Sequence, residues 1–262
     1  MEKKEVKTIQ TGKNGRNIVF LQSTDSTNIQ AKRLAEEGAT HGTLVVADAQ
    51  TAGRGRKGRE WQSPPGKNLY FSLLLREGIL PEKAAMLTLV MGLSVQEAIA
   101  KHCGVQTAIK WPNDIVLGDK KLAGILTEMY FDEKNAPYVI IGTGVNIKPQ
   151  EFPAELRDKA TYLESAGKEV SVQALLQSII ECFDEKYVLF LKTMDLSCLS
   201  EAYNEVLINR GKEVRVLDPA GTYNGVAEGI DQEGQLLVRM ADETVRNVYA
   251  GEVSVRGIYG YV

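Results

Sequence analysis

Residues 50–61, QTAGRGRKGREW, hold the densest chemistry in the chain: Arg54, Arg56, Lys57 and Arg59 are interleaved with Gly53, Gly55 and Gly58 ahead of Trp61. Cations this close repel one another and resist unpaired burial, and the glycines favour neither helix nor strand. A mobile basic loop is expected. Two roles are open to it: a solvated surface loop or general nucleic-acid contact, or a clamp whose guanidinium forks and backbone N–H groups close over a phosphate-bearing ligand. A nucleotide P-loop fits poorly, because the segment lacks the Gly-Lys-Ser/Thr ending that sets a hydroxyl on magnesium.

Lys110-Trp111-Pro112-Asn113-Asp114 joins a cation, an aromatic plate and a rigid turn. It either builds a turn or places a lysine at a strand end, where it can neutralise charge on a transferring phosphoryl group. In Ile141-Gly142-Thr143-Gly144-Val145-Asn146 two glycines interrupt a β-branched run. That pattern marks a bulge or a ligand lying on bare backbone, and without a third glycine and a following helix it is no dinucleotide fingerprint.

These residues need a frame to hold them. The 262 residues, 44% hydrophobic, suffice for one large core, or one large and one small. The net charge of −3 argues against a general nucleic-acid binder, since the positive charge is local. Cys103, Cys182 and Cys198 are widely spaced, which fits buried reduced thiols rather than a zinc site or disulfide framework. No signal core and no run near the roughly 20 apolar residues of a membrane span are present, so a soluble cytoplasmic protein is expected.

Ser26 or Thr27 caps a first helix to about Glu37, with Ile29 and Leu34 inward, and a short strand at 43–47 leads into the basic loop. A buried strand at 68–75, a helix opened by Pro81 and stopped by Gly104, and four β runs between 108 and 146 imply a mixed, largely antiparallel sheet. A helix capped by Ser171 runs to about Lys192. From Glu213 the chain turns to short alternating strands, including one at 252–256, so the boundary is placed near Asn209-Arg210-Gly211. The fold class is α+β, a helix-flanked sheet with a small C-terminal barrel-like unit.

Taken in order, Ser26-Thr27-Asn28, Gln50, GRGRKGREW (53–61), KWPNDI (110–115), KLAGIL (121–126), GTGVN (142–146) and GEVSVR (251–256) resemble the biotin protein ligases over nearly the whole chain. The resemblance implies a class II synthetase-like catalytic domain over residues 1–209 and an SH3-like β-barrel over 210–262. It implies that biotin and Mg-ATP form biotinyl-5′-AMP, and that the acyl group then passes to a lysine of a biotin carboxyl carrier domain, such as that of acetyl-CoA carboxylase.

By the same resemblance, Lys110, Arg56 and Arg54 are the catalytic cations. Ser26, Thr27, Asn28, Gln50, Gly53, Gly55, Gly124, Gly142 and Gly144, with those three cations, surround biotin. Arg56, Trp61, Lys110, Asn113, Lys121, Asn146 and Arg256 face ATP, with Asn146 a magnesium contact. His41 and His102 belong to no matched motif, and an ionised carboxylate needs no general base. In bifunctional members a winged helix-turn-helix precedes the Ser-Thr-Asn segment; 25 residues precede it here, so no DNA-reading repressor is expected. The chain is expected to meet no nucleic acid or membrane, and an exposed sheet edge could pair two copies as a homodimer. The alternatives are a lipoate ligase, which usually carries an Arg-Arg-x-x-Gly-Gly-Gly type segment in place of GRGRKG, and a non-enzymatic nucleic-acid module.

Overall fold

NLYFSLLL at 68–75 is buried at all eight positions, as a strand covered on both faces must be. The computed structural model describes residues 5–9, 15–250 and 254–257, so residues 251–253 of the closing GEVSVR string lie outside the described residues. In chain order the elements are β1 (Glu5–Ile9), β2 (Arg16–Thr24), α1 (Thr27–Glu36), β3 (Leu44–Gln50), β4 (Asn68–Leu75), α2 (Met86–Cys103), β5 (Ala108–Lys110), β6 (Asp114–Leu117), β7 (Lys120–Phe131) and β8 (Pro137–Asn146). There follow α3 (Val172–Thr193), α4 (Ser200–Glu205), β9 (Glu213–Asp218), β10 (Gly221–Ile230), β11 (Leu236–Arg239), β12 (Val245–Val248) and β13 (Ser254–Gly257).

Eight strands form one sheet in the order β1-β2-β3-β4-β8-β7-β6-β5. Its pairings are antiparallel except β2 with β3, where α1 carries the chain back to start β3 in the same direction. Period-two alternation then gives the sheet two faces. Leu69, Phe71, Leu73 and Leu75 with Ile125, Val139, Ile141 and Val145 join α2 and α3 in the main core. On the other face Val45, Ala47, Leu74, Tyr138 and Ile140 pack against Ala31 and Ala35 of α1. Ser72, Gly124, Gly142 and Gly144 share that second face, and their small side chains leave a depression beside the start of α1.

α1 corrects one expectation. Its buried face is Thr27, Asn28, Gln30, Ala31 and Ala35, whereas Ile29 and Leu34 are half-buried. Alanines let the helix lie close to the sheet, which brings its polar first turn down onto the strands. Pro81 opens a single 3-10 turn, Pro81–Lys83, and the α-helix proper begins at Met86 and ends on Gly104 in the left-handed conformation at φ 62°. Ser171 caps α3, its hydroxyl accepting from the Ala174 N–H. Of the thiols, Cys103 and Cys182 are buried but Cys198 is exposed, contrary to expectation, and all three are free.

The second sheet is antiparallel in the order β12-β11-β10-β9-β13. Among the described residues no pairing joins β12 to β13, so the sheet is not closed. Val214, Val216, Ala227 and Val238 are continuous with the main core. Trp111 bolts the two parts together: its indole N–H donates to Gly234 O at 3.0 Å and its backbone N–H to Asn209 Oδ1 at 3.1 Å. No helix among the described residues is long and apolar enough to cross a membrane.

Candidate active site

Where β2 gives way to α1, Asp25 Oδ1 accepts from the Ser26 N–H at 2.7 Å, fixing the corner from which Ser26, Thr27 and Asn28 enter buried. Gln50, the last residue of β3, lies opposite. Its Oε1 accepts from the Thr27 N–H at 2.8 Å, its Nε2 donates to the Ser63 hydroxyl at 2.8 Å, and Ser63 donates to Trp61 O at 3.0 Å. One amide side chain therefore links the helix start to the far leg of the basic segment.

Asn28 is held from two sides. Its Oδ1 accepts from the Ser72 hydroxyl at 2.6 Å, and its Nδ2 donates to Glu128 Oε2 at 2.8 Å and Leu126 O at 3.2 Å. The Ser72 hydroxyl also meets that of Thr27 at 2.8 Å. A Cβ on Gly142 would sit 2.0 Å from Asn28 Oδ1, so this glycine makes room for a side chain of the protein itself.

The basic segment is more ordered than its composition implies. It folds as a short hairpin: Trp61 N donates to Gly53 O at 2.9 Å, Gly55 N to Arg59 O at 2.7 Å, and Arg54 bridges Glu60. A Cβ on Gly53 would stand 2.4 Å from Trp61 O, so only glycine lets the legs approach this closely. The tip turns through Lys57 and Gly58, both with positive φ. Arg54 and Arg56 find partners as the hairpin folds onto the sheet. Arg56 donates to Asn113 Oδ1 and to Ala250 O, each at 2.9 Å, and Arg54 pairs with Glu128 at 3.1 Å. The Trp61 indole lies over Gly144 and Gly124, where added Cβ atoms would come within 2.5 Å and 3.0 Å of it, and Lys121 Nζ stands 5.3 Å from the ring centroid.

These groups enclose a cleft with about 440 Å³ of space, its open mouth included, lined by Ser26, Thr27, Asn28, Gln50, Arg54, Gly55, Arg56, Trp61, Asn113, Lys121, Gly124, Gly142 and Gly144. Ser26, Thr27 and Gln50 stand by the start of α1, Arg54 reaches the Glu128 that holds Asn28, and Arg56 and Lys121 stand by Asn113 and Asp114. Lys110 does not line the cleft. It is 5% exposed and pairs in register with Asp114 across the β5–β6 hairpin. Burial pulls its ammonium down to about 8, with Lys121, Arg256 and Arg59 adding to the effect and Asp114 opposing it. Lys121 reaches the cleft and pairs with Asp114 at 2.6 Å.

Arg256, exposed on β13, brings the second sheet's charge towards Lys110. Asn113 donates to Ile125 O at 3.1 Å while accepting from Arg56. Asn146 shares the strand face of Gly142 and Gly144 but lies beyond the lining, its amide donating to Thr161 O at 3.1 Å. Among the described residues no cluster of three or more His, Cys, Asp or Glu side chains could hold a metal ion. Glu128 and Ser72 were missed by motif reading. Counting by twos along β7 from Gly124 reaches Glu128, and Ser72 is a lone hydroxyl in an apolar strand; both signals were present.

Residues 20–146 match the biotin/lipoate A/B protein ligase family, and residues 211–256 match the biotin protein ligase C-terminal domain. The bifunctional ligase/repressor BirA of Bacillus subtilis is 38% identical over 244 residues, covering 92% of this chain and 74% of that protein. The biotin–[acetyl-CoA-carboxylase] ligase of Paracoccus denitrificans is 33% identical over 84% of this chain and 93% of its own length. The chain belongs to the biotin protein ligase family. A biotin protein ligase from Aquifex aeolicus, solved in complex with biotin and ATP, superposes at a TM-score of 0.80 with 32% identity, covering 92% of this chain and 98% of that one. All the residues that line the ligase's cleft fall inside the first matched segment.

Proposed function

We propose that the cleft takes biotin beside Ser26, Thr27 and Gln50 and the ATP phosphates beside Arg56 and Lys121, joins them as biotinyl-5′-AMP, and delivers the acyl group to a lysine of a biotin carboxyl carrier domain. One observation carries this reading. The cradle of Ser26, Thr27, Asn28 and Gln50 and the cations Arg54, Arg56 and Lys121, far apart in sequence, line a single cleft under one hairpin.

A biotin carboxylate oxygen attacks the α-phosphorus, the bond to the bridging oxygen of the β-phosphate breaks, and pyrophosphate leaves with that electron pair. Two anions must meet, so cations aimed at them lower the barrier without reorganising. Arg56, Lys121 and the buried Lys110 supply that field, and Arg256 extends it from the second sheet. The neutral amine of the acceptor lysine then attacks the acyl carbon, AMP departs, and the amine loses a proton. Between these steps the mixed anhydride must be kept from water, a task suited to a hairpin held down through Arg54 and Arg56. Ser26, Thr27 and Gln50 present the hydroxyls and amide that a ureido ring can use.

Magnesium bound to ATP would neutralise charge on the phosphates and would be held mainly by them. Asp114 is already engaged by Lys121, and Asn146 is the neutral contact the family resemblance assigns to the ion. The folded-down guanidinium of Arg56 argues against a nucleic-acid module, which presents its cations outward. The deciding experiment is ATP–pyrophosphate exchange: it should proceed with biotin, fail with lipoate or without an acid, and be followed by labelling of a carrier-domain lysine. Exchange that ignores biotin would falsify the assignment.

A further inference from the structure

Glu128 lies outside the residues to which any role in the reaction has been assigned, yet it touches both halves of the cleft. One carboxylate oxygen accepts from Asn28 Nδ2 at 2.8 Å and the other pairs with Arg54 at 3.1 Å. We propose that Glu128 is a positioning residue that couples the biotin cradle to the basic hairpin, a role that rests on the reading of this cleft as the biotin site.

The Asn28 amide is oriented by its neighbours. Its nitrogen faces two groups that can only accept, Glu128 Oε2 and Leu126 O, while its oxygen faces a hydroxyl and the bare backbone of Gly142. Rotated by half a turn, the oxygen would confront two acceptors, so Glu128 selects one orientation. That orientation propagates. Asn28 Oδ1 takes the Ser72 proton, Ser72 meets Thr27, Thr27 holds Gln50, and Gln50 reaches Trp61 O through Ser63. The series starts at Arg54 and ends at Trp61, the two legs of the same hairpin. Asn28 accordingly spends both amide protons within the protein and shapes the cradle, rather than donating to the ureido ring.

Glu128→Gln keeps an oxygen for Asn28 but removes the charge that holds Arg54; Glu128→Ala removes both. With a hydrogen bond to a charged group at stake, Glu128→Ala should raise the KM for biotin in pyrophosphate exchange about tenfold. The Arg54 side chain is 46% exposed, so Glu128→Gln should leave that KM within about twofold and speed release of biotinyl-5′-AMP by up to about fivefold, an effect that added salt reproduces in the wild type. A Glu128→Ala variant with a lowered Tm and an unchanged KM would reduce Glu128 to a structural role and overturn the coupling. Release from Glu128→Gln at the wild-type rate would overturn it too, and this test stands even where the alanine variant fails to fold. A wild-type enzyme without biotin-dependent exchange would instead remove the reading of the cleft, and the coupling with it.

Discussion

Lys110 is a cation the fold keeps at a cost. Its ammonium sits at 5% exposure among other cations and is lowered to about 8 from its usual 10.5. That difference corresponds to about 3 kcal/mol between the two protonation states. The sign is fixed by linkage. The unfolded chain holds this proton more tightly, so stability rises with pH between about 8 and 10.5 and the full cost is present at pH 7. Lys110→Met keeps the aliphatic stem and deletes the charge. The variant should therefore gain up to about 3 kcal/mol of unfolding free energy at pH 7 and lose the rise in stability above pH 8. If the charge serves the incoming phosphates, pyrophosphate exchange should fall by about 100-fold or more, the scale of one preorganised electrostatic group. Urea unfolding at pH 7, 9 and 10 beside exchange assays measures both. A variant less stable than the wild type at pH 7 would mean that Asp114 more than offsets the burial, and wild-type exchange would remove Lys110 from the reaction; either result refutes the reasoning.

Gly144→Ala places a methyl 2.5 Å from the Trp61 indole nitrogen and should cut biotin-dependent exchange at least tenfold while the far-UV spectrum is retained. Gly142→Ala meets the clamped Asn28 amide at 2.0 Å and should cost about 1–3 kcal/mol in chemical denaturation; an unchanged midpoint would show that the amide yields freely. Arg56→Gly frees the hairpin from Asn113 and Ala250, so biotinyl-5′-AMP should escape and label bystander lysines, detectable by streptavidin blotting of an added inert protein. His41 accepts the Arg76 N–H at 3.1 Å through Nδ1, and burial holds its imidazole below the usual range, with Arg16 adding and Glu77 and Asp184 opposing. The neutral form is the native one, so stability should fall as pH drops below about 6.5, and His41→Ala should flatten that slope in thermal melts.

Local signals made the main elements legible. The buried run at 68–75, the Ser171 cap and the Gly104 stop all lie where a short-range physical rule puts them. β2 was not foreseen, although Ile18-Val19-Phe20-Leu21 is itself an apolar run; it pairs antiparallel with β1 and parallel with β3. α4, at six residues, is too short for periodicity to register. Most of the residues that carry motifs line one cleft, while Gly53, Lys110, Asn146 and Arg256 stand outside its lining. Contacts set by register, such as Glu128 and Ser72 closing on Asn28, depend on which strands become neighbours, and β4, β8 and β7 are brought together only by the sheet order.

The glycines show why composition alone misjudged the basic segment. Three glycines among four cations read as a chain without preference, yet at Gly53 the absent side chain is what lets Trp61 O close the hairpin. Gly124 and Gly144 do the same for the indole, as Gly142 does for Asn28. In each case bare backbone admits another part of the protein, and those inserted side chains join the glycines, Ser26, Thr27 and Gln50 in lining the cleft. The cleft is therefore built in two layers, a strand floor of small residues and an inlay of Asn28 and Trp61. Its shape follows from how firmly that inlay is held, which is why substitutions beneath it should alter biotin use without touching a ligand.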